Sequence, residues 1–479
     1  MASEFFDILS EWGSLDTWIV VTAALAAMAC ALPGAFLLIR RQSMMGDALS
    51  HTTLPGIVLA FLLAQWLRRS GWISPEAYDT GLHAIMFAGA LLIGILSAAL
   101  TEWVQKLGKV ESGAALGVVF TTMFALGLLL IRLSADSVHI DPDCVLYGTI
   151  ETVVMDTIGS TGIPRAAVVS GSVLLLNLAL VLLFFKELRI SAFDPALATT
   201  LGINAHLMHY ALMSVTAATL VSAFESVGSI LVIAMLIAPA ATAHLLTDRL
   251  STMLGLCLGT AALCAALGHT LAITLPSIVF SRLGFDSVVD ASTAGMMAVA
   301  AGLLFTTAML FGPRYGVFSR LLDQLRLSQT IAAEDVLGLL YRFEEQRQPD
   351  AGTNLRVFAQ LMGASYARTR LAIYRLVWKG QLSAVATGYR LTPAGRQRAE
   401  QLVRSHRLWE SYMAKHFELP SDHLHESAAR VEHFLDPKLR AKLEAELDAP
   451  ERDPHGRAIP AEDQVDAGRG SREFNPRPG

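Results

Sequence analysis

The chain has 479 residues, 53% of them hydrophobic and only 16% charged, and its mean hydropathy is +0.47. That composition excludes a water-soluble globular protein of this length, and a formal net charge of -5 is too small to argue for nucleic acid by overall electrostatics. Ionisable residues are sparse before about residue 314 and dense after it, so the chain is expected to sit in two solvents and to form two domains.

In chain order, apolar runs of the roughly 20 residues needed to cross hydrocarbon predict nine spans, over residues 17–39, 47–67, 82–100, 114–131, 166–185, 207–224, 228–246, 253–275 and 288–311. Residues 1–16 carry Glu4, Asp7, Glu11 and Asp16 but no Lys or Arg. This flank therefore belongs outside, and without a basic n-region or a small-residue cleavage site the first span is expected to be retained. Arg40, Arg41, Lys106, Lys109, Lys186, Arg189, Arg249, Arg314 and Arg320 then fall on the cytoplasmic side, against Arg68, Arg69, Arg132, Arg165 and Arg282 outside. The bias delivers the polar C-terminal part to the cytoplasm. Pro33, Pro55 and Pro239 lie within spans. Each frees a carbonyl that must be satisfied by protein or by a water-filled cavity, which fits a packed, polar-lined pathway and equally fits kinks that improve packing.

Asp47 and His51 are four residues apart at the start of the second apolar run. On a helix they share a face, and ionisable groups at membrane depth are costly enough that the default reading is functional. Together they present one carboxylate and one imidazole to a divalent cation; the alternative is a pair at headgroup level that caps the helix.

The run RRQSMMGDALSHTTLPG over residues 40–56 resembles the signature of the permease subunits of manganese, zinc and iron ABC transporters. So do KVESGAALGVVFTTMFALGLLL over 109–130, LYG over 146–148, DPALATTLGIN over 194–204 and VGSILVIAMLIAPAATAHLLT over 227–247, in the expected order from about residue 17 to 312. The resemblance implies an all-helical permease that pairs in the bacterial cytoplasmic membrane with a second copy or a paralogue. It also implies a separate ATPase subunit as motor and an extracytoplasmic metal-binding protein as donor. The chain agrees on one point independently: it holds no G-x-x-x-x-G-K-[ST] loop to cradle ATP phosphates, so it is expected to be no enzyme itself. By the same resemblance, the loop over residues 186–209 holds the coupling helix that docks on the ATPase, with Asp194, Pro195, Leu197, Leu201 and Gly202 as its residues; Asp194-Pro195 is a good helix start. An interfacial helix lying on the membrane would leave the same pattern.

Carboxylate and imidazole donors suit Mn2+, Fe2+ or Zn2+. Asp47 and His51 rank first for translocation, followed by Glu225, His244 and His269, the remaining ionisable groups in or near the spans; His244 also reads as an interfacial residue and Glu225 as part of an outer turn. Asp136, His139, Asp141 and Asp143 would concentrate cations at an outer mouth, or form a solvated acidic loop. Cys30, Cys144, Cys257 and Cys264 make no C-x-x-C pair and read as packing residues.

Residues 313–330 read as a linker. Beyond it, 334–342 reads as a helix, 355–362 and 366–379 as helix and second helix about the turn Gly363-Ala364-Ser365, and 381–391 as a hairpin wing. This is a winged helix-turn-helix domain over 331–398 whose second helix is made basic by Arg368, Arg370, Arg375 and Lys379; winged helices also serve as protein docking modules. LTPAGRQRAEQLVRSHRLWESYM over 391–413, HESAARVEHFLDPKL over 425–439 and DPHGRAIP over 453–460 resemble the diphtheria toxin repressor and manganese repressor family. That resemblance implies metal-binding and dimerisation-like helices over 399–460, and the tail 461–479 reads as disordered. The family's ligand positions fall on Asp335, His406, Glu410, His425, Glu432 and His433, but Gly338 and Ala429 stand where two further ligands belong. The expected fold is an all-α polytopic membrane protein followed by a cytoplasmic winged-helix and dimerisation-like domain.

The expected function is a permease subunit for ATP-driven manganese, iron or zinc uptake whose repressor-like domain senses metal and regulates transport. No permanently bound cofactor is expected beyond the transported ion and a metal in the C-terminal domain. The alternatives are a membrane-tethered metal-responsive regulator that binds nucleic acid, and a gradient-driven metal transporter.

Overall fold

A computed structural model describes residue 10 and residues 12–72, 74–133, 150–158, 162–282, 291–346, 355–385, 388–417 and 421–461, and the chain divides into two compact units, Met1–Arg320 and Leu321–Gly479. The first unit contains α1 (Ser14–Ile39), α2 (Ser43–Thr52), α3 (Leu54–Arg69), α4 (Pro75–Gly108), α5 (Ser112–Leu133), α6 (Arg165–Leu183), α7 (Phe185–Phe193), α8 (Pro195–Thr200), α9 (Ala205–Val227), α10 (Ser229–Leu246), α11 (Leu250–Arg282) and α12 (Thr293–Phe311). Among the described residues eight helices are long and apolar enough to cross a membrane, and a ninth, Leu231–Leu246, is apolar but shorter. These are the nine expected runs.

Helix α1 lies at the centre, packed by α6, α10 and α11. Its buried face is rich in alanine, with Ala23, Ala26, Ala27, Ala29, Ala31 and Ala35, and small residues allow close approach where lipid offers no hydrophobic drive for helix association. Gly34 is the tightest point: any side chain there would collide with the Leu236 carbonyl.

The prolines show how a packed bundle repairs an interrupted helix. Pro33 cannot donate to the carbonyl of Ala29, and the buried Asn177 amide of α6 donates to that oxygen at 3.0 Å and to Thr219 Oγ1 of α9 at 2.8 Å. Pro276 likewise frees Ala272, whose oxygen accepts from the Ala291 amide at 3.1 Å. At Pro55 the outcome differs from expectation: the second span is two helices, α2 and α3, parted at Thr53. Proline supplies no amide and restrains the residue before it, and it is accommodated within the first turn of the new helix.

The second unit contains α14 (Leu355–Leu361), α15 (Tyr366–Trp378), β1 (Leu382–Val385), β2 (Gly388–Leu391), α16 (Pro393–His416), α17 (Ser421–Val431) and α18 (Pro437–Glu446), and it begins within α13 (Val317–Glu345). The expected linker over 313–330 is thus helical from Val317 onward, because it contains no proline or glycine beyond Gly316 and is rich in Leu, Gln and Arg, good helix formers. The strands pair antiparallel with Leu382 opposite Leu391, which is the wing. Gly363, at φ 58°, makes the turn between α14 and α15, and Ser365 caps α15 through the Arg368 amide. Val336, Leu337, Phe358, Ile373, Leu376 and Leu382 close the core.

Candidate functional site

In the membrane unit, Asp47 is half-buried on α2, and His51 follows one turn later on the same helix. The side chains of His51 and Glu225, and all of Asp136, His139, Asp141 and Asp143, lie outside the described residues. Glu225 itself falls two residues before the end of α9.

His244 and His269 occupy different settings from Asp47. His244 is exposed near the end of α10 and stacks on Tyr315, ring centroids 6.3 Å apart, beside the pair formed by Arg314 and Asp248; it belongs to the end of its span rather than the interior. His269 is buried near the opposite end of the unit. Its Nδ1 lies 3.0 Å from Thr293 Oγ1 and its Nε2 lies 3.1 Å from Asp16 Oδ1, so both ring nitrogens are engaged by protein. The Thr293 amide in turn donates to Glu151 at 2.7 Å. This chain of contacts ties the starts of α1 and α12 to α11, a structural role that the sequence does not disclose.

The expected coupling helix is α8. Asp194 Oδ1 accepts from the amides of Ala196 and Leu197, both at 3.0 Å, Pro195 takes the first helical position, and Gly202, at φ 81°, lets the chain turn away. Leu197 and Leu201 are exposed. A cavity of about 1340 Å3 opens beside α8, lined by Arg40, Glu102, Lys106, Pro195, Thr199 and His209 among others.

In the second unit all six expected ligand residues come together, in two neighbouring groups: His406, Glu410 and His425, and Asp335, Glu432 and His433. His406 Nε2 lies 3.1 Å from Glu410 Oε1 and 2.9 Å from His425 Nδ1, while His406 Nδ1 meets Glu432 Oε2 at 2.5 Å and so links the two groups. His433 reaches Asp335 at 3.2 Å and Glu334 at 2.8 Å. Burial works to raise the Glu410 carboxyl, yet the His406 and His425 imidazoles outweigh it and hold it at about 2. For His433 burial acts to lower the imidazolium, and the hydrogen bonds to Asp335 and Glu334 with the charge of Glu432 overcome it, pushing it up to about 9.

The donor chemistry fits a divalent transition metal: carboxylate oxygens and imidazole nitrogens converge within 4.8 Å of one another in each group. The first group is the better fit. In the second, Gly338 offers no ligand, and a Cβ there would stand 3.2 Å from Leu402, so packing occupies the place of a donor; Ala429 offers none either. Arg342 Nη2, 3.6 Å from Glu432 Oε2, competes for the same carboxylate. Sequence reasoning missed Glu334 and Arg342, and also Asp453 and His455, which with Glu410 form a third group. In sequence Glu334 and Arg342 look like the solvated face of an amphipathic helix, and the DPHG run over residues 453–456 carries a family resemblance that assigns no role to its side chains.

On α15 the basic residues divide. Arg368 is half-buried and donates to the Ser328 carbonyl at 2.8 Å, an internal tie rather than a free cation. Arg370 and Lys379 are exposed and Arg375 is half-buried; Tyr374 and Trp378, also exposed, share that surface.

The comparisons with known proteins agree with this division of the chain. The family described as "Iron dependent repressor, metal binding and dimerisation domain" fits residues 392–461. The "Manganese transport system membrane protein MntD" of Bacillus subtilis is 38% identical over 66% of this chain and 98% of its own length. The "Zinc transport system membrane protein TroD" of Treponema pallidum is 42% identical over 64% of this chain and 76% of its own. A "Probable metal transport system membrane protein" of Chlamydia trachomatis is 26% identical over 92% of this chain and 95% of its own. Among solved structures, "PsaBC from Streptococcus pneumoniae in complex with Fab" aligns at a TM-score of 0.49, with 27% identity over 66% of this chain and 98% of that one. The family described as "ABC 3 transport family" matches residues 15–312, more than half of the sequence, and this multi-pass membrane protein belongs to it.

Proposed function

We propose that this chain is the permease subunit of an ATP-driven importer of a divalent transition metal, manganese, iron or zinc, in the bacterial cytoplasmic membrane, and that its second unit is a cytoplasmic metal-responsive regulator of that transport. One observation carries the reading. A single chain joins a membrane unit related to manganese and zinc transport proteins to a unit that gathers two carboxylate and imidazole clusters suited to the same ions.

In this reading Asp47 and His51 of α2 touch the travelling ion, and replacement of its water by a carboxylate oxygen and an imidazole nitrogen offsets the cost of entering a low-dielectric bundle. Helix α8 meets a separate ATPase through Leu197 and Leu201. An extracytoplasmic metal-binding protein delivers the ion, and a second copy or a paralogue completes the channel. His406, Glu410 and His425 hold the regulatory ion, with Asp335, Glu432 and His433 beside them; Arg370, Arg375 and Lys379 leave α15 suited to a docking role.

The test is uptake of labelled Mn2+, Fe2+ and Zn2+ into vesicles containing the full chain and its ATPase. ATP-dependent accumulation of at least one ion is expected. Accumulation driven equally well by an ion gradient without ATP would overturn it.

A further inference from the structure

Arg40 follows the last residue of α1, and its guanidinium reaches two distant helices at once. Nη2 donates to Ser191 Oγ of α7 at 3.0 Å and Nη1 lies 3.2 Å from His209 Nδ1 of α9. A guanidinium has no acceptor, so His209 Nδ1 must be the accepting nitrogen. The Ser191 hydroxyl donates to the Leu188 carbonyl at 3.2 Å, which leaves its oxygen to accept from Arg40.

The positions of these partners matter more than the bonds themselves. Ser191 lies three residues before the cap of α8, and His209 lies on the helix that leaves α8. One side chain therefore holds both flanks of the expected ATPase-docking helix. On its own chain, Arg40 opens the short connection Arg40 to Gln42 that leads into α2 and Asp47, and Arg41 within that connection sits at φ 57°, a conformation that a residue with a Cβ adopts only when its surroundings enforce it. The connection is short and sharply bent, so a displacement of Arg40 has little slack in which to dissipate before it reaches α2.

A structural staple would be cheaper to build from neutral groups. Arg40 is half-buried, its Nε makes no hydrogen bond among the described residues, and no carboxylate there forms an ion pair with it. A desolvated, unpaired charge costs stability. It also places a fixed positive charge on the wall of the cavity beside α8, where a departing cation would meet it.

We propose that Arg40 is the coupling residue of the permease, linking both flanks of α8 to the α2 helix that carries Asp47, so that movement of the docked ATPase is delivered to the cation site. The inference rests on the permease reading above. Arg40 is a positioning residue and does not touch the ion while it is held by Ser191 and His209.

The experiment compares wild type with Arg40→Ala, Arg40→Lys and Ser191→Ala in the reconstituted complex of full chain and ATPase, measuring co-purification of the ATPase, ATP hydrolysis and labelled Mn2+ uptake on the same vesicles. Arg40→Ala should keep the ATPase bound and hydrolysing while uptake per ATP falls by about tenfold or more. Arg40→Lys, able to reach one partner but not both, should fall between, and Ser191→Ala, which leaves the charge in place, should lower the ratio by a smaller factor. If Arg40→Ala does not assemble, Ser191→Ala carries the test. An unchanged uptake-to-hydrolysis ratio in every variant that assembles, or parallel loss of both activities, overturns the role of Arg40. A wild-type complex that moves none of the three ions on ATP overturns the permease reading instead.

Discussion

Pro33 and Asn177 form a pair that neither sequence position announces alone. The proline removes an amide from the centre of α1, and an asparagine 144 positions later supplies the missing donor to Ala29. An amide buried to this degree would be a liability without partners, and here it spends both protons, on Ala29 and on Thr219. Asn177→Leu should therefore destabilise the membrane unit by about 1–3 kcal/mol, the cost of leaving the Ala29 carbonyl buried and unpaired. Thermal unfolding in detergent reads this directly. Asn177→Gln at wild-type stability would not contradict the account, whereas Asn177→Leu at wild-type stability would.

Single residues also mark where reading the sequence succeeds and where it stops. Asp194 and Pro195 are legible as a helix start because cap chemistry is local, and the structure places the cap where expected. The engagement of both nitrogens of His269 is not legible, since Asp16 and Thr293 come from helices remote in sequence. The occupied side chain of Arg368 is hidden for the same reason.

At the scale of elements, span positions were readable because the alternative to helix within hydrocarbon is so costly that an apolar run of sufficient length leaves one choice. The break at Thr53 was not, because a proline inside an apolar run is compatible with a kink, a break or a helix start until its neighbours are known. The helical stretch from Val317 replaced an expected linker, a composition-based boundary giving way to good local propensity. The two ligand clusters stand on four elements, α13, α16, α17 and the 3-10 turn Glu432–Phe434 after it, and the resemblance to metal-dependent repressors supplies their membership; the packing of Gly338 on Leu402 explains why one ligand position is vacant.

Those clusters give the second unit a defined pH window when metal is removed. His433, raised from 6.5 to about 9, contributes stability that is fully present below about 6.5 and is lost as pH rises through about 9. Glu410, lowered from 4.5 to about 2, contributes stability present above about 4.5 and lost as pH falls toward 2. With a chelator present, hydrogen-exchange protection of α16, corrected for the intrinsic exchange rate, should be greatest between about pH 5 and 6.5 and decline on both sides. Protection that rises steadily from about pH 7 to 10 would contradict the arrangement. Adding Mn2+ at about pH 8 should raise protection and release protons, because the bound imidazoles must be neutral.

At the scale of the whole molecule, the chain is two units built for two solvents. In the first, a central helix rich in alanine packs among others, and the interruptions at Pro33 and Pro276 are met by the Asn177 side chain and the Ala291 amide. In the second, carboxylates and imidazoles from separate helices converge within 4.8 Å of one another in each group. Under the proposed reading, a regulator that binds the imported ion changes state only after import has succeeded.

The central claim is that Asp47 is a ligand of the travelling ion in an ATP-driven permease. The most direct measurement is ATP-dependent uptake of labelled Mn2+, Fe2+ and Zn2+ into vesicles bearing the full chain with its ATPase, wild type against the isosteric Asp47→Asn. The account predicts that the variant assembles and hydrolyses ATP but loses uptake of the transported ion by about 100-fold or more. Uptake by Asp47→Asn at the wild-type rate would contradict it.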